Sequence, residues 1–382
     1  MIIGAGALGL GFIGPIAASA GETWLFDVGI KASLLEAIDR RRGYRINQAF
    51  DEEVRVVTVD DVRTGIVSDP IAVEALSECD CCFTAVGTEN FEAVASPLRA
   101  AARVRATPLL VLCGENGIEV ARRLSTIVGK DENVCSGDTI MSRMCRFMDR
   151  VEDGYTPLCE GVAAGITTDD VDVIQYHLQS GSLPSEYDGM QQLGEEEFAL
   201  YTHMKLFGHN CLHALYAFAS AKAGFTRIAD VCGSAMLADR AHRMLFEELG
   251  PALARHHRTL FDAETYRTHM ERVTSRIVSK GLNDTVDRGV RGATHKLRPS
   301  ERWVQAVRLI RSAGIPATAY LETMADIILE SGLLNVMTLE DLLANQCGFD
   351  GDELVDALTV IEPIIAASIG GDSNERGRIA RA

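Results

Sequence analysis

The chain opens Met1-Ile2-Ile3-Gly4-Ala5-Gly6-Ala7-Leu8-Gly9-Leu10-Gly11-Phe12-Ile13-Gly14. Five glycines between Gly4 and Gly14 need a local reason, because glycine loses more backbone freedom on folding than any other residue. Gly4, Gly6 and Gly9 fit GxGxxG between an apolar strand and a helix. In that context the first glycine makes a tight turn, the second lets a pyrophosphate approach the backbone, and the third lets helix and strand pack closely. Free N–H groups at the helix N-terminus would face the phosphates. With Ala7 and Leu8, these glycines are where a dinucleotide would lie. Asp27 closes the second apolar run, TWLFD, 18 residues after Gly9. A carboxylate there accepts hydrogen bonds from ribose hydroxyls and repels a 2′-phosphate, which favours NAD(H). Lys31 and Arg40–Arg42 keep NADP open as the alternative.

Outward from this stretch, residues 1 to about 150 alternate short apolar runs with helix-like segments. MIIGAG, TWLFDV, CCFTAV and TPLLVLCG read as four strands, and FIGPIAASAG as a helix with Pro15 in its first turn. Strands spaced by helices imply parallel βαβ units in a doubly wound α/β sheet of Rossmann type. Residues 43–66 are alternating and polar and read as an antiparallel excursion. Thr84 and Gly87, in TAVGTEN, follow the third strand, where loops border the ligand crevice; an ordinary turn at Gly87 is the plain alternative. Around residues 150–190 the pattern breaks, and SGSLPSEYDG reads as a linker. Beyond about 195 nearly everything is helical. The expected division is residues 1–185 as a dinucleotide-binding domain and 186–382 as a mostly α-helical substrate domain, with the tail GGDSNERGRIARA frayed.

The formal net charge of −17 argues against nucleic-acid or anionic-membrane partners. No apolar run reaches the roughly 18 residues of a spanning helix, and no charged-then-apolar leader is visible, so a cytoplasmic location is expected. Ten cysteines in 382 residues make no disulfide framework. Cys81 and Cys82, adjacent on a strand, point to opposite faces and chelate poorly. No metal site is expected.

The stretch Lys205-Leu-Phe-Gly-His-Asn210-Cys-Leu-His213 lies in one long amphipathic segment. At about 100° per residue, Lys205, Asn210 and His213 fall at about 0°, 140° and 80° on an α-helix, on one side. Among Leu206, Phe207, Leu212, Ala214 and Leu215, a half-buried lysine would have its pKa lowered by desolvation and so serve as a general base. An asparagine amide donates to a developing alkoxide, and a histidine orients a hydroxyl. The plain alternative is a snorkelling lysine beside a core histidine.

KLFGHNCLH fits KxxxxNxxH and resembles the polyol-specific long-chain dehydrogenases. GAGALGLGFIG is similar to that family's GAGNxGRGFIG, and Glu115-Asn116 after LLVLC to its CEN segment. Asp138-Thr-Ile-Met-Ser-Arg143 is similar to its DxxxDR. Asp287-Arg288-Gly-Val-Arg291 with His295-Lys296-Leu297 is similar to its RVxRxPxRKL. The resemblance implies Lys205 as base, Asn210 and Asn116 on the oxyanion, His213 on a substrate hydroxyl, Asp138 and Arg143 near substrate, and no metal. It implies NAD(H)-dependent conversion of a secondary alcohol of a polyol or sugar phosphate into its ketone, by a monomer or homodimer. Arg288, Arg291 and Lys296, three cations in an acidic chain, would clamp a phosphate or carboxylate; a solvated helix end is the other reading.

The chain departs from the family pattern at Ser142, where the family has Asp, and at Gly289, Ala293, Thr294 and His295. The chemistry residues stay while the substrate shell changes, which predicts the same reaction on a different polyol. A hydroxy-acid or 6-phosphogluconate-like dehydrogenase, and a non-catalytic NAD(H)-binding protein, are the competing readings.

Overall fold

The computed structural model describes residues 1–29, 31–129, 133–179, 181–183 and 187–369. The chain forms two compact units, Met1–Ala199 and Leu200–Ala382. The frayed tail expected at 370–382 lies outside the described residues.

The first unit is built on β1 (Ile2–Ile3), β2 (Thr23–Asp27), β3 (Gly43–Phe50), β4 (Glu53–Asp60), β5 (Val62–Ile66), β6 (Cys81–Thr84), β7 (Leu109–Cys113), β8 (Val134–Ile140), β9 (Cys145–Met148), β10 (Gly165–Thr168), β11 (Ile174–Leu178) and β12 (Met190–Gln192). Among the described residues the main sheet runs β12-β11-β8-β7-β6-β1-β2-β5. From β8 to β5 every pairing is parallel. The order reverses between β1 and β6, the switch point where a doubly wound sheet opens its crevice. The helices of this unit are α1 (Gly14–Ala20), α2 (Ala32–Arg41), α3 (Pro70–Glu78), α4 (Phe91–Val104) and α5 (Val120–Val128).

Strand periodicity sorts the core. Ile2, Leu25, Cys81, Phe83 and Leu112 face one buried cluster, while Ile3, Phe26, Cys82, Val111 and Cys113 face the other. Successive side chains on a strand point to opposite faces, so apolar runs without polar gaps are what a sheet covered on both sides requires.

Two expectations are corrected here. Residues 43–66 do begin as an antiparallel hairpin of β3 and β4, which joins β10 and β9 in a second sheet. But β5 leaves the hairpin and pairs parallel with β2. Residues 150–190, where the strand–helix pattern is expected to break, carry β10 and β11 and lead into β12; the described part of SGSLPSEYDG, expected as a linker, is the short passage between β11 and β12.

The glycine-rich helix also differs from expectation. It starts at residue 7, so Pro15 sits inside it, and its turn Gly9–Ile13 is π-helical. Proline removes one N–H and crowds the carbonyl four residues back. The widened turn absorbs this: Gly14 N–H bonds to Gly9 O, one residue further back than in an α-helix. The carbonyls this displaces find partners elsewhere. Tyr44 Oη donates to Leu10 O at 2.8 Å, and Arg143 Nη1 donates to Gly11 O at 3.0 Å.

The second unit is helical: the end of α6 (Glu195–His203), then α7 (Asn210–Lys222), α8 (Ala235–His242), α9 (Gly250–His256), α10 (Ala263–Ile277), α11 (Val286–Val290), α12 (Ala293–Lys296), α13 (Arg302–Ser312), α14 (Thr318–Ser331), α15 (Leu339–Asp341) and α16 (Gly351–Ile369). Buried α14 packs against α7, α12, α13 and α16. A π turn at Arg243–Leu249 joins α8 to α9 just before Gly250-Pro251, and Tyr266 Oη donates to Leu245 O at 2.7 Å. The same problem, a proline within a helix, thus receives the same remedy twice. Among the described residues no helix is long and apolar enough to cross a membrane.

Glu248 accepts the N–H of Ala319 at 2.7 Å and of Tyr320 at 3.4 Å, at the start of α14. Burial pushes its carboxyl from 4.5 up to about 7, against the pull of those two bonds. The folded state therefore holds the proton more tightly than the unfolded chain. This contribution to stability is full below about pH 4.5 and is lost as pH rises toward 7. Glu248→Gln should flatten the fall in denaturation midpoint between pH 5 and 7; an unchanged slope would show that Glu248 does not cause it. Tyr44→Phe leaves Leu10 O without its side-chain donor and should reduce stability by about 1–3 kcal/mol, read by chemical denaturation.

Candidate active site

At the C-terminal ends of β1, β2, β6 and β7 the first unit brings the glycine loop, Asp27, Thr84 and Glu115 to one edge. Gly4 has φ +125°, and a Cβ there would lie 2.3 Å from Ala85 O. A Cβ on Gly9 would lie 1.9 Å from Gly4 O. These two glycines are required by the fold itself. Gly6 is different: its Cβ would meet nothing nearer than Ala85 O at 3.9 Å. The protein leaves the space over Gly6 open, as a loop that receives a phosphate must.

Asp27 is buried and secures this loop. Its Oδ2 accepts Ala5 N–H at 3.0 Å and its Oδ1 accepts Gly29 N–H at 3.2 Å. Lys31 donates to Ala5 O at 2.8 Å and lies 4.1 Å from the Phe147 ring centre. Burial lowers its pKa, an effect that Asp27 and Asp149 oppose.

Glu115, to which the sequence reading gave no role of its own, pins the neighbouring loop. It accepts Thr84 Oγ1–H at 2.8 Å and Val86 N–H at 3.0 Å. Burial raises its pKa and these bonds pull it back. The signal available in sequence was its place directly after β7. Gly87, at φ +85°, continues that loop, and Asn116 is exposed on the loop after β7.

In the second unit Lys205 lies on a third π turn, Met204–His209, which runs unbroken into α7, where Asn210 and His213 lie. Asn210 N–H bonds to Lys205 O, the i→i+5 register. In α-helical geometry Lys205 and Asn210 would stand about 140° apart; the π register stacks them. Lys205 Nζ donates to Asn210 Oδ1 at 2.7 Å. A lysine N–H, charged or neutral, donates and an amide oxygen only accepts, so the amide turns its oxygen to Lys205. That leaves Asn210 Nδ2 buried and without a hydrogen-bond partner among the described residues. Buried donors are rarely left so, and an explanation is called for.

The turn is held from α14: Tyr320, fully buried, donates its hydroxyl to Phe207 O at 2.7 Å. His209 is buried beneath the motif. Burial, with the charges of Lys205 and Arg276, keeps its imidazole well below the usual histidine range and hence neutral. His213 Nε2 lies 2.7 Å from Asp284 Oδ2.

Comparison with known proteins follows the same division. Residues 1–173 match the mannitol dehydrogenase Rossmann domain, and residues 197–329 match the mannitol dehydrogenase C-terminal domain. The chain belongs to the mannitol dehydrogenase family. A mannitol-1-phosphate 5-dehydrogenase of Shouchella clausii is 26% identical over 339 residues, 85% of this chain and 86% of the relative. That of Enterococcus faecalis is 25% identical over 331 residues, 82% and 81%. The fold resembles a substrate-free D-sorbitol dehydrogenase (TM-score 0.70, 14% identity, 99% of this chain and 94% of the other). It also resembles Pseudomonas fluorescens mannitol 2-dehydrogenase in a ternary complex with NAD and D-mannitol (TM-score 0.66, 13%, 100% and 90%).

Within this family member the residues read as substrate contacts have diverse surroundings. Asp138 Oδ1 accepts Ala121 N–H at 2.8 Å and so caps α5. Arg143 is buried, donates to Val171 O and Gly11 O, and lies 5.1 Å from the Phe12 ring centre. Arg288 donates to both oxygens of Asp284. Arg291 is exposed at the end of α11. Lys296 donates to Arg291 O and lies 5.8 Å from the Phe218 ring centre. Burial, then the charges of Arg302 and Arg291, push Lys296 down to about 8. Arg302, which carried no sequence signal, thus joins Lys296 and Arg291 in a cationic group opposed by Glu301.

Tyr320→Phe removes the hydroxyl that holds Phe207 O. It should lower stability by about 1–3 kcal/mol and loosen the Lys205–Asn210 register. Denaturation and helix content by circular dichroism would check this: the fold should persist at a lower midpoint.

Proposed function

We propose that this protein is an NAD(H)-dependent dehydrogenase that interconverts a secondary alcohol of a polyol, carrying an anionic group such as a phosphate, with its ketone. The observation that carries this reading is the buried, unpartnered Asn210 Nδ2 beside Lys205. An amine next to an amide donor with no protein acceptor suits an oxygen that loses a proton and gains negative charge.

The open space over Gly6 and the Asp27 carboxylate at the end of β2 fit a dinucleotide, and Asp27 favours NAD(H) over NADP(H). Lys31, the candidate for a 2′-phosphate, is engaged with Ala5 O and Phe147. When bound, the nicotinamide supplies the hydride acceptor or donor. In the oxidative direction Lys205 Nζ takes the hydroxyl proton. Asn210 Nδ2 donates to the resulting alkoxide, and Asn116 is assigned the same task. His213 orients a neighbouring hydroxyl. In reduction the proton travels from Lys205 to the carbonyl oxygen. The proton route uses side chains alone, and the reading assigns no metal.

The cations Lys296, Arg291 and Arg302 support an anionic substrate, as does the similarity to enzymes named for mannitol 1-phosphate. Arg288, paired with Asp284, is left out of that group.

Purified protein should reduce NAD in the presence of a phosphorylated polyol, with turnover unchanged by EDTA. Lys205→Ala should lower kcat about 100- to 10,000-fold while NADH still binds by fluorescence. Normal turnover by that variant would rule out the base assignment. Lys296→Ala and Arg302→Ala should raise KM for the phosphorylated polyol and leave that for a free polyol unchanged. Equal effects on both would remove the anion-binding role.

A further inference from the structure

Asp284 lies between α10 and α11, in a part of the chain where no motif drew attention to it. It is only 3% exposed. Its carboxylate receives His213 Nε2 on Oδ2 at 2.7 Å, Arg288 Nε on Oδ1 at 2.7 Å and Arg288 Nη2 on Oδ2 at 2.5 Å. Its backbone is fixed too. Ile228 N–H donates to Asp284 O at 3.0 Å, Val286 N–H donates to Thr226 O at 3.1 Å, and Arg227 bridges Thr285. Burial alone would raise the pKa of this carboxyl. The charge of Arg288 and the bonds from His213 and Arg288 outweigh burial and hold it ionised, well below the usual carboxylate range.

An ionised carboxylate only accepts hydrogen bonds. The His213 nitrogen facing it must therefore carry a proton. In a neutral imidazole that leaves the lone pair on Nδ1, and Nδ1 has no hydrogen-bond partner among the described residues. The charge on Arg288 lets this carboxylate stay ionised in the interior.

We propose that Asp284, with Arg288 as its counter-ion, is a positioning residue that fixes His213 in the Nε2–H tautomer so that Nδ1 accepts a hydrogen bond from a substrate hydroxyl. This rests on the role for His213 given above. It accounts for Arg288 as part of the internal support of the site, and the anionic end of a substrate falls to the other cations.

The test is nitrogen-15 NMR of histidine-labelled protein at pH 8, with His213→Gln to assign the signal, alongside kinetics of Asp284→Asn. Asparagine offers one acceptor and one donor. With its oxygen kept on Arg288 Nε, its Nδ2 faces His213, whose Nε2 must then accept. The wild type should show a protonated Nε2 and a bare Nδ1. Asp284→Asn should reverse them and lower kcat by about 100-fold, with NADH affinity unchanged. Arg288→Lys, which keeps a cation beside the carboxylate, should retain the Nε2–H form. A wild-type His213 protonated on Nδ1 overturns the proposal whatever the activity, and that measurement stands even if Asp284→Asn does not fold. A reversed tautomer with undiminished turnover reduces Asp284 to a structural tie. A wild type that binds NADH but oxidises no polyol would fail the functional reading, while the spectrum alone still decides the tautomer.

Discussion

One hydrogen bond sets the geometry of the candidate site: the Tyr320 hydroxyl on Phe207 O. A helix that slips into π register leaves a main-chain carbonyl without its ordinary donor, and a buried carbonyl left so is destabilising. Tyr320 supplies a donor from α14, and the slipped register brings Lys205 against Asn210. Without the slip, the two side chains would diverge around the helix. The same device, a tyrosine hydroxyl on a π-turn carbonyl, recurs at Leu10 and Leu245. There the reason for the slip is a proline two residues beyond the turn. At Met204–His209 no proline follows, and the register serves the side chains instead.

Buried carboxylates do the corresponding work around the loops. Asp27 ties β2 to the glycine turn, Glu115 ties β7 to the loop after β6, and Asp284 ties α7 to α11. In each case a buried carboxylate is held by directed N–H or O–H donors. A carboxylate that is fully satisfied in this way is rigid. Rigid support is what a site needs if hydroxyl, amide and amine are to meet a substrate within a few tenths of an ångström.

Much of the fold was legible in the sequence because its signals are local. Apolar runs without polar gaps marked the parallel strands, and their alternate residues do supply the two cores on either face of the sheet. Gly4 and Gly9 were readable because a Cβ at either would strike backbone only a few residues away or on the adjoining strand. Asp27 was readable from its distance to Gly9. The spacing of Lys205, Asn210 and His213 marked a motif, but an α-helical wheel misplaced its members, because π register is not a local preference. The hydroxyl that supports it, on Tyr320, lies 113 residues from Phe207.

The sequence by itself determined the class of fold, the glycine turn and the side chains available for chemistry, since these follow from sterics and periodicity within a few residues. The tertiary structure alone decided what those side chains are paired with. Arg143 reaches a carbonyl 132 residues away, and His213 meets Asp284 71 residues away. Arg288, read as a cation for a substrate, is neutralised by that same aspartate. A charge is written in the sequence, but its partner is chosen by burial, where an ionised group must find a counter-charge or a hydrogen bond from whatever segment folding has placed beside it.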